Sequence, residues 1–185
     1  MASVAKSVRE AMIEAAWLLI AERGLEGMAT REVLARTGAP RGSVYHYFPG
    51  GRTELIEAAI DHSREWMGRR IAAIEPKSPQ DVVAGYMDIW RRVLEGTGFR
   101  AGCAVTGAVA GGREPGILDR ARAAFDATGE ALAALFEQTG VGPDEAGQRA
   151  TLLMYAAEGA VISARARHSL QPLDFTVEQL STRRS

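Results

Sequence analysis

An all-α fold is predicted for this 185-residue chain, with a three-helix head over residues 1–52 and a larger helical body over residues 53–185. Three observations carry the prediction. Apolar residues recur with a period near 3.6 along almost every segment, and no stretch alternates as a half-buried strand does. Glycine and proline punctuate the pattern where helices would stop. Near the N-terminus, two short helices are joined by a turn containing glycine, with a longer helix ahead of them.

The first helix is expected from Ala5 to Arg23, with Val8, Met12, Ala15, Ala16 and Leu19 on one face and Gly24 as its stop. Thr30 to Arg36 forms a short second helix, capped at Thr30 or Ala29. Thr37-Gly38-Ala39 is the turn. Pro40 suits the first position of a third helix, where its missing N–H is no loss, and Pro49-Gly50-Gly51 breaks that helix after Phe48. A long helix then runs from Arg52 to about Glu75, ended by Pro76 and Pro79. Asp81 to Glu95 is amphipathic through Val82, Tyr86, Met87, Ile89, Trp90 and Val93. Cys103 to Ala110 is short and uncharged and reads as buried. Leu118–Thr139 and Asp144–His168 are long helices parted by Gly140, Gly142 and Pro143, and Thr176–Leu180 is a last short helix. Eight or nine helices result.

Composition narrows the function. Lys and Arg (22) nearly balance Asp and Glu (23), so any nucleic-acid contact needs a local patch and not bulk charge. The lone Cys103 excludes an intrachain disulfide and a cysteine-rich zinc site. It reads as a small buried hydrophobe, since no Lys, Arg or His on its helix would stabilise a thiolate. His46, His62 and His168 have no metal-ligand spacing. Charges interrupt the first fifteen residues, and no run reaches the ~20 apolar residues of a membrane span. A cytoplasmic protein without cofactor or membrane partner is expected.

The head is the informative part. Its third helix exposes Arg41, Gly42, Ser43, Tyr45, His46 and Tyr47, while Val44 and Phe48, at i and i+4, turn inward. Two apolar anchors make a poor core element but suffice for a helix that reads a DNA groove. Arg bonds a guanine edge bidentately, and Tyr and His reach phosphates. Gly42 lets the backbone approach a duplex closely. Residues 1–52 carry seven basic and five acidic side chains, a net of +2 against −1 for the chain.

The run Gly24 to Leu55, GLEGMATREVLARTGAPRGSVYHYFPGGRTEL, resembles the DNA-binding head of the TetR family of transcriptional regulators. The strongest part is Gly42-Ser43-Val44-Tyr45-His46-Tyr47-Phe48-Pro49, followed by Gly50-Gly51-Arg52 and Leu55. The double glycine, Gly38-Ala39-Pro40-Arg41 and the later Ala101-Gly102-Cys103 are similar to the branch that holds the lincomycin-resistance and flavonoid-responsive repressors. The resemblance implies a one-component repressor that binds a pseudo-palindromic operator as a homodimer and is released by a small apolar or aromatic ligand. It places Pro40 to Tyr47 in the major groove, with Arg41 and Ser43 nearest base edges. Tyr45 and Tyr47 lie against the phosphate backbone, Arg52 replaces a phosphate-holding Lys, and Thr30, Arg31 and His46 complete the DNA-binding candidates. Met28 and Ala29 depart from the Thr or Ser that often caps the second helix; Leu34 and Pro40 depart from Ala and Ser.

For the ligand, the candidates are Trp66, Met87, Trp90, Phe99, Cys103, Thr106, Phe125, Met154, Tyr155 and Glu158. Each apolar member also reads as plain core. Glu158 is either the polar anchor of a pocket or a solvent-facing charge. Small residues on the Asp144–His168 helix (Ala156, Ala157, Gly159, Ala160, Ser163, Ala164) suit close packing across a two-fold axis, together with Leu118–Thr139. An enzyme is the rival class, but no Ser-His-Asp set, metal cluster or phosphate-binding glycine loop is present. A helical scaffold would leave the head unexplained.

Overall fold

In the computed structural model, residues 7–182 are described, and nine helices are found among them. The first, α1 (Val8–Arg23), begins at a reciprocal cap: the Ser7 Oγ accepts from the Glu10 amide, and the Glu10 carboxylate accepts from the Ser7 amide at 2.9 Å. Ala5 and Lys6, expected in this helix, lie outside the described residues. Met12, Ala16 and Leu19 are buried, whereas Val8 is exposed. α2 (Thr30–Thr37) starts at Ala29 with no side-chain cap, as the missing Ser or Thr implies.

Gly38 ends α2 in the left-handed region (φ 68°), which a side chain at this turn would resist. The next helix, α3, spans only Ser43–Tyr47, shorter than the expected Pro40–Phe48. Pro40 to Gly42 form a turn instead, closed by the Ser43 amide on the Pro40 carbonyl at 2.9 Å. α4 (Gly51–Ile71) stops before the expected Glu75, since Pro76 disfavours helical geometry in the residue ahead of it.

α5 (Pro79–Thr97) is capped by Ser78, whose Oγ accepts from the Asp81 amide at 3.3 Å. It is followed by α6 (Ala104–Gly111), α7 (Pro115–Gln138), α8 (Pro143–Arg167) and α9 (Gln171–Ser181). His168 caps α8 in the left-handed region.

Two compact units divide the chain. One comprises the chain up to Ser63 together with Ala104–Arg122; the other comprises Arg64–Cys103 and the chain from Ala123 onward. The head expected at residues 1–52 thus lies within a unit that also takes in the start of α4, α6 and the start of α7. α6 seats against α1 in that unit. A Cβ on Gly107 would stand 2.9 Å from the Ile20 carbonyl oxygen, so this approach needs glycine. The Gly107 carbonyl accepts from the Leu25 amide at 3.3 Å. In the same unit Arg120 of α7 pairs with Glu57 and Asp61 of α4.

The second unit is built from α5, α8 and α9 with the end of α4 and most of α7. Its core includes Met67, Ile71, Val82, Tyr86, Met87, Trp90, Phe136, Leu153 and Leu173. Of the small residues expected to serve a dimer, Ala157, Ala160 and Ala164 are buried in this core. They bring α8 close to its own neighbours.

Candidate nucleic-acid interface and ligand site

The first unit presents a short polar helix. Val44 and Phe48 are buried and anchor α3, while Pro40, Arg41, Gly42, Tyr45 and His46 are exposed and Ser43 and Tyr47 half-buried. Tyr45 is 74% exposed, an extreme for a large aromatic ring with no role in the core. The His46 and Tyr47 rings meet edge-on at 4.7 Å. Gly42 has open space where its Cβ would stand, so nothing within the fold demands glycine there. On α2, Arg31 is exposed and Thr30 half-buried.

Basic residues of the head sort into two groups, which the sequence did not reveal. Arg23 pairs with Glu32 at 2.5 Å and Arg36 with Glu22 at 2.6 Å, tying α2 to α1. The Arg9 guanidinium lies 5.1 Å from the centre of the Phe48 ring. Arg52 donates from Nε to the Met28 carbonyl (3.1 Å) and from Nη2 to the Leu25 carbonyl (2.6 Å), clamping the turn between α1 and α2. Among the described residues, Arg31 and Arg41 have no ion-pair partner and stand exposed. Their charge is uncommitted, and they flank the helix pair.

In the second unit, Tyr86, Met87 and Trp90 are buried on α5, with Met154 on α8. The Tyr86 and Trp90 rings meet edge-on at 6.4 Å. Burial, first of all, pushes the Tyr86 phenol far above its ordinary range; the Trp90 indole N–H opposes this, and Glu158 and Cys103 add to it as nearby negative charge would. The structure therefore gathers Tyr86, Trp90, Cys103 and Glu158. Trp66, Phe99, Cys103 and Phe125 are half-buried and packed against the same core. Phe99 has a left-handed backbone (φ 61°), and its ring lies 5.6 Å from that of His168.

Two candidates fall elsewhere. Tyr155 stands 67% exposed, one residue on from buried Met154 and so rotated off the core face. Thr106 belongs to the first unit. A separate groove of about 240 Å³ is lined by Pro79, Val83, Phe136, Leu152, Leu153 and Leu180 with a polar edge, and none of the expected ligand residues line it. Among the described residues no group of His, Cys, Asp or Glu could hold a metal ion, and no helix is long and apolar enough to cross a membrane.

A helix pair with a glycine turn, presenting a polar second helix, joined to a helical body with an aromatic core, defines a helix-turn-helix DNA-binding regulator. Residues 12–59 match the family model described as bacterial regulatory proteins of the tetR family. Residues 79–179 match that of the C-terminal domain of LmrA/YxaF-like transcriptional regulators. The chain belongs to the TetR family of transcriptional regulators, in its LmrA/YxaF-like group. It is 40% identical over 181 residues to an uncharacterized HTH-type transcriptional regulator of Mycobacterium tuberculosis, covering 93% of this chain and 91% of that one. The HTH-type transcriptional regulator LmrA of Bacillus subtilis is 34% identical over 64 residues, 35% of this chain and 34% of its own. The crystal structure of a regulatory protein TetR from Rhodobacter sphaeroides superposes with a TM-score of 0.84 at 20% identity, covering 94% of this chain and 96% of that one. These are transcription regulators, not enzymes.

Proposed function

We propose that the protein is a transcriptional repressor that binds a pseudo-palindromic operator in double-stranded DNA as a homodimer and leaves it when a small apolar or aromatic ligand binds. The observation that carries this reading is the sorting of charge in the head. Arg31 and Arg41 are left uncommitted beside exposed Tyr45 and His46, while Arg23 and Arg36 are bound up within the fold. Arg41 and Ser43 then read base edges; Tyr45, His46, Tyr47, Thr30 and Arg31 hold the backbone. Arg52 has five N–H donors, of which two are used on carbonyls, so it serves first as a clamp on the head.

Dimerisation is assigned to α8 with α7. Leu152, Tyr155 and Ile162 are 37%, 67% and 55% exposed, and with Gly159 they follow one another at helical spacing along one face of α8. An apolar stripe of this kind favours burial against a second copy. Two heads on a dimer would meet successive major grooves about 34–36 Å apart.

The ligand is placed against the core of the second unit, near Met87, Trp90, Phe99, Cys103, Phe125, Met154 and Glu158. α4 contributes residues to both units and is the element proposed to carry the change in head spacing. By linkage, operator and ligand then weaken each other by the same factor.

The deciding experiment is binding of the purified protein to DNA from upstream of its own gene, across a salt series. Saturable, sequence-selective binding with the stoichiometry of a dimer, weakening steeply with salt, is expected. Failure to select any sequence from a genome-wide pool would overturn the repressor reading.

A further inference from the structure

Leu25, which follows Gly24 in the turn between α1 and α2, is tied at both of its polar backbone groups to elements outside the helix-turn-helix. Its amide donates to the Gly107 carbonyl of α6 at 3.3 Å, and its carbonyl accepts from Arg52 Nη2 of α4 at 2.6 Å. Its side chain is 4% exposed and lies against the end of α6. A Cβ at Gly111 would stand 3.3 Å from the Leu25 Cβ, and one at Gly112 would stand 3.5 Å from its Cδ2. At Gly107 a Cβ would meet the Ile20 carbonyl oxygen at 2.9 Å and the Gly24 Cα at 3.5 Å, so α6 and α1 touch main chain to main chain. The turn after α6 closes on the same place. The Glu114 carboxyl is held below its ordinary range by its own amide first, then by that of Arg113, and also by the Arg52 guanidinium.

Only Glu26 to Ala29 lie between Leu25 and the start of α2. A displacement of Leu25 is therefore carried into α2 and, past the Gly38 turn, into α3. Resting on the operator-binding reading above, we infer that α6 belongs to the DNA-reading apparatus: Gly107, Gly111 and Gly112 are positioning residues that act through Leu25 to set the angle at which α2 and α3 meet the duplex. They touch neither base nor phosphate. Ordinary packing between α1 and α6 would be served by interleaved side chains, which can change rotamer and absorb small movements. Contact through glycines leaves no such cushion, so a movement of α6 reaches the turn undamped.

The test compares binding of the full-length protein to its selected operator and to random-sequence DNA of the same length. Random DNA is held by surface charge, which the glycines do not alter, whereas the operator also requires that α2 and α3 be correctly set. Gly111 is exposed at the end of α6, so a side chain there can be tolerated by the fold while it presses on Leu25. Gly111→Val is expected to weaken operator binding about tenfold, the scale of one lost base contact, with binding to random DNA within about twofold and Tm within about 3 °C of the unaltered protein. Gly111→Ala should show a smaller loss of the same kind, and Gly107→Ala a larger one, measured at a temperature where circular dichroism shows it folded. Ala110→Val, at an exposed neighbour on the same helix, should change neither binding. Operator selectivity unchanged in both Gly111→Val and Gly107→Ala would overturn the inference. So would losses equal on operator and random DNA that track Tm, which mark a merely structural role, or an Ala110→Val loss as large as that of Gly111→Val. An unaltered protein that selects no sequence removes the repressor reading and the inference with it; selectivity kept by the unaltered protein and by both glycine variants removes the inference alone.

Discussion

Replacing Arg52 separates two roles that the same side chain can play. Its Nε and Nη2 donate to the carbonyls of Met28 and Leu25 at 3.1 and 2.6 Å, fixing the turn that sets α2 against α1. Hydrogen bonds from a charged donor contribute roughly 1.5–3 kcal/mol each when well buried. The Arg52 pair is only part-buried, so about 1–2 kcal/mol for both together is the appropriate scale. For a chain of this length, Arg52→Ala should lower Tm by roughly 2–8 °C. Arg52→Lys should lose most of the same stability, because an ammonium cannot span two carbonyls as the guanidinium fork does. Operator affinity should fall alike in both variants, with the dependence of log K on log salt unchanged. Differential scanning calorimetry and a salt series on operator DNA read the two quantities. An unaltered Tm in Arg52→Ala, with a salt slope shallower by about 0.9 per phosphate lost and rescue by Lys, would refute the clamp and make Arg52 a phosphate contact.

Other substitutions address the remaining assignments. Arg41→Ala should cost roughly 1–3 kcal/mol of operator affinity and relax sequence preference at one position per half-site, as read by binding to a library of single-base operator variants. An equal loss on all sequences would move Arg41 to the backbone. Gly107→Ala places a Cβ 2.9 Å from the Ile20 carbonyl oxygen, so a destabilisation of about 1–3 kcal/mol is expected in urea denaturation. A neutral result there would mean that α6 is free to withdraw from α1. Ile162→Glu and Tyr155→Glu, at exposed positions of α8, should shift sedimentation from dimer towards monomer with little change in helicity. A dimer unaffected by both would place the interface on another face.

Helix order and the glycine turn were legible because they rest on local rules: period, stop residues and the tolerance of Gly38 for positive φ. Prolines misled where they open helices. Pro79, Pro115 and Pro143 all stand at the first position of theirs, and Pro172 lies in the first turn of α9, which begins five residues before the expected Thr176. Pro40 looked like another such start but heads a turn, which leaves α3 with five residues. On the exposed side of α2 and α3, residue types were readable and their commitments were not. Arg23–Glu32 and Arg36–Glu22 join positions nine and fourteen apart, which no local spacing rule covers. Tyr155 shows the same limit at one residue's scale, because a step of 100° along α8 carries it from the core side to the outside.

Because Ala104–Arg122 completes the unit that begins at the N-terminus, that unit is discontinuous in the chain. During synthesis, Leu25 must wait for Gly107 to leave the ribosome before its amide finds its carbonyl partner. A nascent chain arrested soon after α4 therefore holds a head with the α6 side of α1 unpacked. The same topology bears on grafting. A chimera that exchanges heads between relatives at a single splice after α4 pairs an incoming α1 with a foreign α6. Heads should therefore travel with their own α6, which takes three junctions, after Ser63, Cys103 and Arg122, to leave each unit whole.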